Sequence, residues 1–181
     1  MPATKKDLKL LERSIRSIPG FPKPGIIFRD VTTLFKNAQA LKKAADIIAR
    51  ECKNKKVDKV VAVEARGFVL GAIIAYKIGA GLVLVRKKGK LPCKTISASY
   101  ELEYGTDTLY MHSDALLPGE KVMIVDDLLA TGGTVSAVVK LVNKLKSRIM
   151  GISFLIELVD LKGRAKLAGY PVSSLVKFEG E

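Results

Sequence analysis

Val122-Met123-Ile124-Val125-Asp126-Asp127-Leu128-Leu129-Ala130-Thr131-Gly132-Gly133-Thr134 joins four consecutive apolar residues to two carboxylates and then to a small turn rich in Gly and Thr. The apolar run reads as a strand buried on both faces. The turn opens a helix expected from about Thr134 to Lys146. A helix N-terminus leaves backbone N–H groups unpaired and carries partial positive charge. Gly132 and Gly133 let the backbone approach an anion, and Thr131 and Thr134 add hydroxyl donors. Ala130 to Thr134 therefore reads as a cradle for one phosphate monoester. A phosphate alone gains nothing from Asp126 and Asp127, which repel it. They fit a ligand that also offers hydroxyls, as a ribose 5-phosphate does, or a bound Mg2+. In an extended strand the two side chains point to opposite faces, so both can meet one sugar only if the chain has begun to turn. No G-x-x-x-x-G-K-[ST] and no G-x-G-x-x-G is present, which argues against nucleoside triphosphates and dinucleotides.

The same alternation continues on both sides. Upstream, Val57 to Val63 reads as a strand, followed by Glu64-Ala65-Arg66-Gly67, a helix over 68–78 and a strand over 82–85. Downstream, strands are expected over 149–158 and 172–176, with a short helix over 162–167 between them. Strands alternating with helices imply an α/β fold with a mostly parallel, twisted sheet flanked by helices, and ligands beyond the carboxyl ends of its strands. Leu8, Leu11, Ile15 and Ile18 recur at helical spacing and predict an amphipathic helix over 5–17. Pro19, Gly20, Pro22, Pro24 and Gly25 interrupt regular structure, and a helix is expected again over 38–53. Residues 94–112 break the alternation and read as a β-flap or a long loop, a common form for a lid.

Composition narrows the partners. With 31 basic and 18 acidic residues among 181, the net charge is +13 and the field attracts polyanions. Aromatics at 6%, with no Trp, supply few stacking platforms, and no nucleic-acid-binding spacing stands out, so a phosphate-rich small molecule is favoured over nucleic acid. The longest apolar run, 68–76, is far short of a membrane span, and the first twenty residues lack the apolar core of a signal peptide. Cys52 and Cys93 have no metal-ligand spacing and read as free thiols in a reducing, cytoplasmic setting. The only histidine, His112, has no G-x-S-x-G beside it, so a hydrolase triad is disfavoured.

The carboxylate-and-glycine stretch resembles the phosphoribosyl pyrophosphate signature of the type I phosphoribosyltransferases, and its wording is most similar to the adenine phosphoribosyltransferases. The resemblance spans nearly the whole chain. It takes in Phe21 to Asp30, Glu64 to Phe68, Arg86 to Pro92, Tyr100 to Gly105, Glu157-Leu158 and Leu161 to Arg164. Val85 and Lys88 depart from it, each standing where a proline is common.

The resemblance implies one domain over 1–181, with a small N-terminal hood over about 1–35 and a flexible lid over about 94–112. It implies that Asp126, Asp127 and residues 130–134 hold the phosphoribosyl group, that Arg66, Arg86 and Lys90 bind pyrophosphate, and that Glu103 is catalytic. Phe28 would stack on a purine, with Ile27 and Arg29 reading its edge through their backbone and Leu158 on the opposite wall. Mg2+ would ride on the diphosphate with no direct protein ligand, and the enzyme would be a homodimer. The implied substrates are adenine and phosphoribosyl pyrophosphate, and the implied products AMP and pyrophosphate. A 6-oxopurine enzyme of the same type and a non-catalytic, ligand-sensing regulator stay open as alternatives.

Overall fold

The computed structural model describes residues 3–102 and 105–180. The chain runs α1 (Lys5–Arg13), β1 (Arg16–Pro19), β2 (Ile27–Asp30), α2 (Thr32–Phe35), α3 (Ala38–Glu51), β3 (Lys59–Val63), α4 (Arg66–Ile78) and β4 (Gly81–Lys87). It continues with β5 (Thr95–Leu102), β6 (Gly105–His112), β7 (Lys121–Leu129), α5 (Gly133–Lys144), β8 (Arg148–Leu158) and β9 (Val172–Phe178), with 3-10 turns at Val159–Leu161 and Gly163–Leu167. Among the described residues the main sheet has the order β5-β6-β4-β3-β7-β8-β9. Its strands from β4 to β9 are parallel, and β5 and β6 join antiparallel at one edge.

Alternating side chains of β3 and β7 explain why both sheet faces are dry. Val60, Met123 and Val125 pack with Leu11, Ala44, Ile48, Leu70 and Ile74 on the side of α1, α3 and α4. Val61, Val63 and Ile124 pack with Val138, Leu141 and Phe154 on the side of α5. The fold is thus three layers, helices on both faces of the sheet, as the alternation predicts. Two of the helices, α1 and α3, start where side chains satisfy their first amides. Thr4 and Asp7 form a reciprocal capping box on α1, and the Asn37 carboxamide accepts from Gln39 and Ala40 at the start of α3.

The structure corrects the N-terminal helix. It ends at Arg13, with Ser14 as its C-cap, rather than at residue 17. Residues 16–19 instead pair with 27–30 as a separate antiparallel hairpin, Arg16 opposite Asp30 and Pro19 opposite Ile27. Tertiary pairing overrides the helical spacing here. The Arg16 guanidinium reaches the buried Asp30 carboxylate at 2.5 Å, and the same carboxylate accepts from the Thr32 amide at 2.9 Å. This hairpin is the hood. The segment read as a flap or loop is the β5–β6 hairpin, paired from Thr95↔His112 to Leu102↔Gly105. No helix among the described residues is long and apolar enough to cross a membrane.

Hydrogen bonding from Thr32, and then from Arg16, holds the Asp30 carboxyl down to a pKa of about 2. A carboxylate with pKa near 3.9 when unfolded and lower when folded stabilises fully above its unfolded value, and that contribution fades as pH falls through the folded one. Asp30→Asn is expected to cost about 1–3 kcal/mol at neutral pH. The gap to wild type should narrow as pH drops from 5 toward 2, as urea denaturation at each pH will show.

Candidate active site

The chain leaves β3 toward β4 on one side and later returns to β7 on the other, so β3 and β7 flank a topological switch point. A crevice is expected beyond their carboxyl ends. A cavity of about 410 Å3 lies there, walled by residues 64–66 after β3 and 126–135 at the end of β7. Helix α4 starts at Arg66 and α5 at Gly133, and neither has a side-chain cap or an acid in its first turn. Their unpaired amides are left for anions, so the cavity suits a ligand with two anionic ends.

Between these helix starts stand two buried carboxylates, Asp126 and Asp127. Burial, and then the neighbouring Asp127 charge, push the Asp126 pKa well above the usual carboxylate range and favour its protonated form. The Asp127 amide donates to Asp126 Oδ1 at 2.9 Å. Asp127 Oδ2 lies 2.6 Å from Arg66 Nε but out of hydrogen-bonding geometry, and it is buried without a hydrogen-bond partner. A buried acceptor left open in a cavity wall is a place for a sugar hydroxyl to donate. The chain does not need to turn at these residues for both to meet one cavity. β7 continues to Leu129, paired with Glu157 on β8, and the cavity wraps the strand end so that both carboxylates still line it.

The turn after β7 is shaped by a second segment. Gly132 has φ +77°, and a side chain on it would run into the Gly163 backbone. A side chain on Gly163 would in turn overlap the Ala130 carbonyl. Gly163 is held in place by its neighbour. Arg164 donates to Glu157 from Nε at 2.9 Å and from Nη2 at 2.5 Å, and its Nη1 reaches the Val172 carbonyl at 2.8 Å. That planar, two-point pair is the strong form of a charge-assisted bond, and it keeps the Glu157 carboxyl below its ordinary pKa.

The structure gathers some of the other expected residues and separates others. Phe28 stands with its ring 5.6 Å from the Arg66 guanidinium and packs edge-on against Phe21 at 5.2 Å. Arg29 lies 4.0 Å over the Phe178 ring, and Phe178 is the register partner of Leu158. Ile27 is half-buried at the start of β2. Arg86 and Lys90 are outside the cavity wall, whereas Lys87 is in it. The alternation of β4 explains this, because successive side chains point to opposite faces. Arg86 pairs with Glu64 at 3.2 Å and donates to the Lys90 carbonyl at 3.0 Å. Glu103 lies outside the described residues.

Sequence reasoning passed over Lys87, Tyr100 and Gly163. Lys87 and Tyr100 line the cavity, and the Tyr100 ring sits where a side chain on Gly133 would meet it at 3.0 Å. Their signal was their place within the quoted basic and flap segments, and nothing local separated them from their neighbours. Cys52 is buried and Cys93 exposed, and both are free.

Residues 30–175 match the model of the phosphoribosyl transferase domain. Over 169 residues the chain is 56% identical to the adenine phosphoribosyltransferase of Clostridium tetani, covering 93% of this chain and 98% of that one. The chain belongs to the adenine phosphoribosyltransferase family. The solved adenine phosphoribosyltransferase of Thermoanaerobacter pseudethanolicus superposes with a TM-score of 0.91 at 51% identity, over 94% of this chain and 99% of that one. The adenine phosphoribosyltransferase of Saccharomyces cerevisiae, solved with adenine and an imino-altritol bisphosphate, superposes with a TM-score of 0.90 at 36% identity, over 95% and 99%.

In this family member the contact between residues 130–132 and Gly163 gives a direct test of the turn's role. Gly163→Ala is expected to push the turn out of place and weaken AMP binding by tenfold or more, about 1.4 kcal/mol. Isothermal titration calorimetry measures it, and unchanged affinity in a folded variant would refute the role.

Proposed function

We propose that this chain transfers the 5-phosphoribosyl group from phosphoribosyl pyrophosphate to adenine, giving AMP and pyrophosphate in purine salvage. One observation carries the reading. Two uncapped helix N-termini flank the unsatisfied Asp127 oxygen in a single cavity. That arrangement suits a sugar with anionic groups at both ends and hydroxyls between them.

Residues 130–134 receive the 5-phosphate on the first amides of α5, and Asp126 and Asp127 accept from the ribose hydroxyls. Arg66, at the start of α4, takes the pyrophosphate, with Arg86 and Lys90 contributing from the neighbouring basic loop. Phe28 offers its ring to the purine, the backbone at Ile27 and Arg29 reads the base edge, and Leu158 closes the far wall. A purine nitrogen attacks ribose C1 as the C1–O bond to pyrophosphate breaks, through a transition state with oxocarbenium character. Glu103 takes the proton lost by the base or supports the cationic ribose. Water competes for that cation, so the site must close, and the hairpin over 94–112 serves as the lid. Mg2+ carried by the diphosphate would spread its negative charge, and Asp127 Oδ2 would offer an acceptor to its hydration shell.

The protein acts in the cytoplasm as a homodimer. Val69 and Tyr76 on α4 and Leu82 and Leu84 on β4 are exposed apolar side chains, Tyr76 at 88%. A patch of this kind on neighbouring elements is suited to a second copy.

Incubation with phosphoribosyl pyrophosphate, Mg2+ and each purine in turn tests the activity. Adenine should yield AMP. Reaction with hypoxanthine or guanine alone would move the chain to the 6-oxopurine class, and sugar binding without turnover would make it a regulator. Glu103→Ala should lower kcat by about 10²–10⁴-fold with little change in sugar affinity. Tyr76→Glu should shift the protein from dimer to monomer in light scattering, and a variant that stays dimeric removes that face from the interface.

A further inference from the structure

On the reading that this cavity takes the diphosphate, we propose that Asp107 is a positioning residue, an internal counter-ion that holds Lys87 and the β5–β6 hairpin until the diphosphate replaces it. Asp107 is on β6, and its carboxylate meets groups from two other strands. Lys87 Nζ of β4 lies 3.0 Å away, and the Tyr100 hydroxyl of β5 donates to it at 3.3 Å. Its other oxygen accepts from the Thr108 amide at 2.7 Å.

Tyr100 extends the chain of contacts into the cavity. Its ring packs on Gly133 at the first turn of α5. Asp107 thereby ties the hairpin to both walls, to the basic loop through Lys87 and to the phosphate cradle through Tyr100. It lies outside the cavity, whereas Lys87 and Tyr100 line it.

The consequence is a competition. Lys87 Nζ is the cavity cation whose partner is on the hairpin, whereas Arg66 pairs with Asp127 in the wall itself. A diphosphate carries more charge than one carboxylate and draws Lys87 away. The Lys87 ammonium then changes partner, with no proton transferred. The hairpin keeps its backbone pairing to β4, at Arg86↔Tyr110 and Lys87↔Leu109, and its link through Tyr100, but loses this side-chain tether. Arrival of the diphosphate thus loosens the outer part of the element proposed to cover it. The pair is partly exposed, with side chains at 60% and 26%, so the exchange is of low cost and readily reversed.

Removing Asp107 should therefore strengthen diphosphate binding while loosening the empty hairpin. Asp107→Asn and Asp107→Ala are each compared with wild type by calorimetry against phosphoribosyl pyrophosphate and against Mg2+-pyrophosphate. The expected result is about two- to fivefold tighter binding of both. Amides of the hairpin should also exchange faster in the free variants, by hydrogen-exchange mass spectrometry. In a Lys87→Gln background, Asp107→Asn should no longer change affinity. A residue that only stabilises the hairpin would speed exchange with no gain in affinity. Unchanged or weaker binding, or a gain that persists without Lys87, overturns the proposal. Wild type that binds neither ligand would sink the functional reading itself.

Discussion

Two adjacent carboxylates buried at the end of the central strand set the terms for everything around them. Asp126 and Asp127 are almost out of contact with water, where two like charges side by side are costly. Burial and mutual repulsion drive Asp126 toward its neutral form, and Arg66 stands against Asp127. The compensation is incomplete, since one Asp127 oxygen keeps no hydrogen-bond donor. The wall is built around a polar partner that the protein alone does not supply. Replacing these carboxylates by apolar residues would relieve the burial cost and remove the reason for the cavity.

The rest of the molecule keeps that wall in place. The parallel strands bring Arg66 from the end of β3 and the glycine turn from the end of β7 to the same crevice. The turn has little freedom of its own. It rests on Gly163, and Gly163 is fixed by the Arg164–Glu157 pair, a buried carboxylate held at two points. The hood adds Phe28 from the other direction. Its position is braced by the Arg16–Asp30 and Arg29–Ser17 bonds across a hairpin of four paired positions on each strand. Structural ion pairs far apart in sequence therefore act as the frame for a site most of whose wall residues are uncharged.

Charge is distributed between fixed and exchangeable partners. Arg164 is committed to Glu157 by a two-point pair. Lys87 is held by a carboxylate on a hairpin at the sheet edge, where exposure keeps the bond weak. The net charge of +13 draws in a polyanion. Such a ligand can compete for the weakly held cation and leave the Arg164–Glu157 pair in place. The division between firmly and loosely held pairs follows from how deeply each is buried.

The layered α/β class is legible in the order of residues alone, because valine-rich runs alternating with amphipathic helices read as strands buried on both faces. The turn of Gly132, Gly133 and the threonines is legible for the same reason, since it lies within one continuous stretch whose chemistry is local. The helical spacing of Leu8, Leu11, Ile15 and Ile18 misled at its end, since a bond from Arg16 to a partner fourteen residues away outweighs local preference. Assembly of the sheet settled that Lys87 rather than Arg86 enters the wall, that Gly163 backs the turn, and that Asp107 and Tyr100 join the hairpin to that turn. Each of these depends on strand register and on close approach between segments far apart in the chain. No local pattern of residues encodes such distances, and they are fixed only when the sheet is assembled.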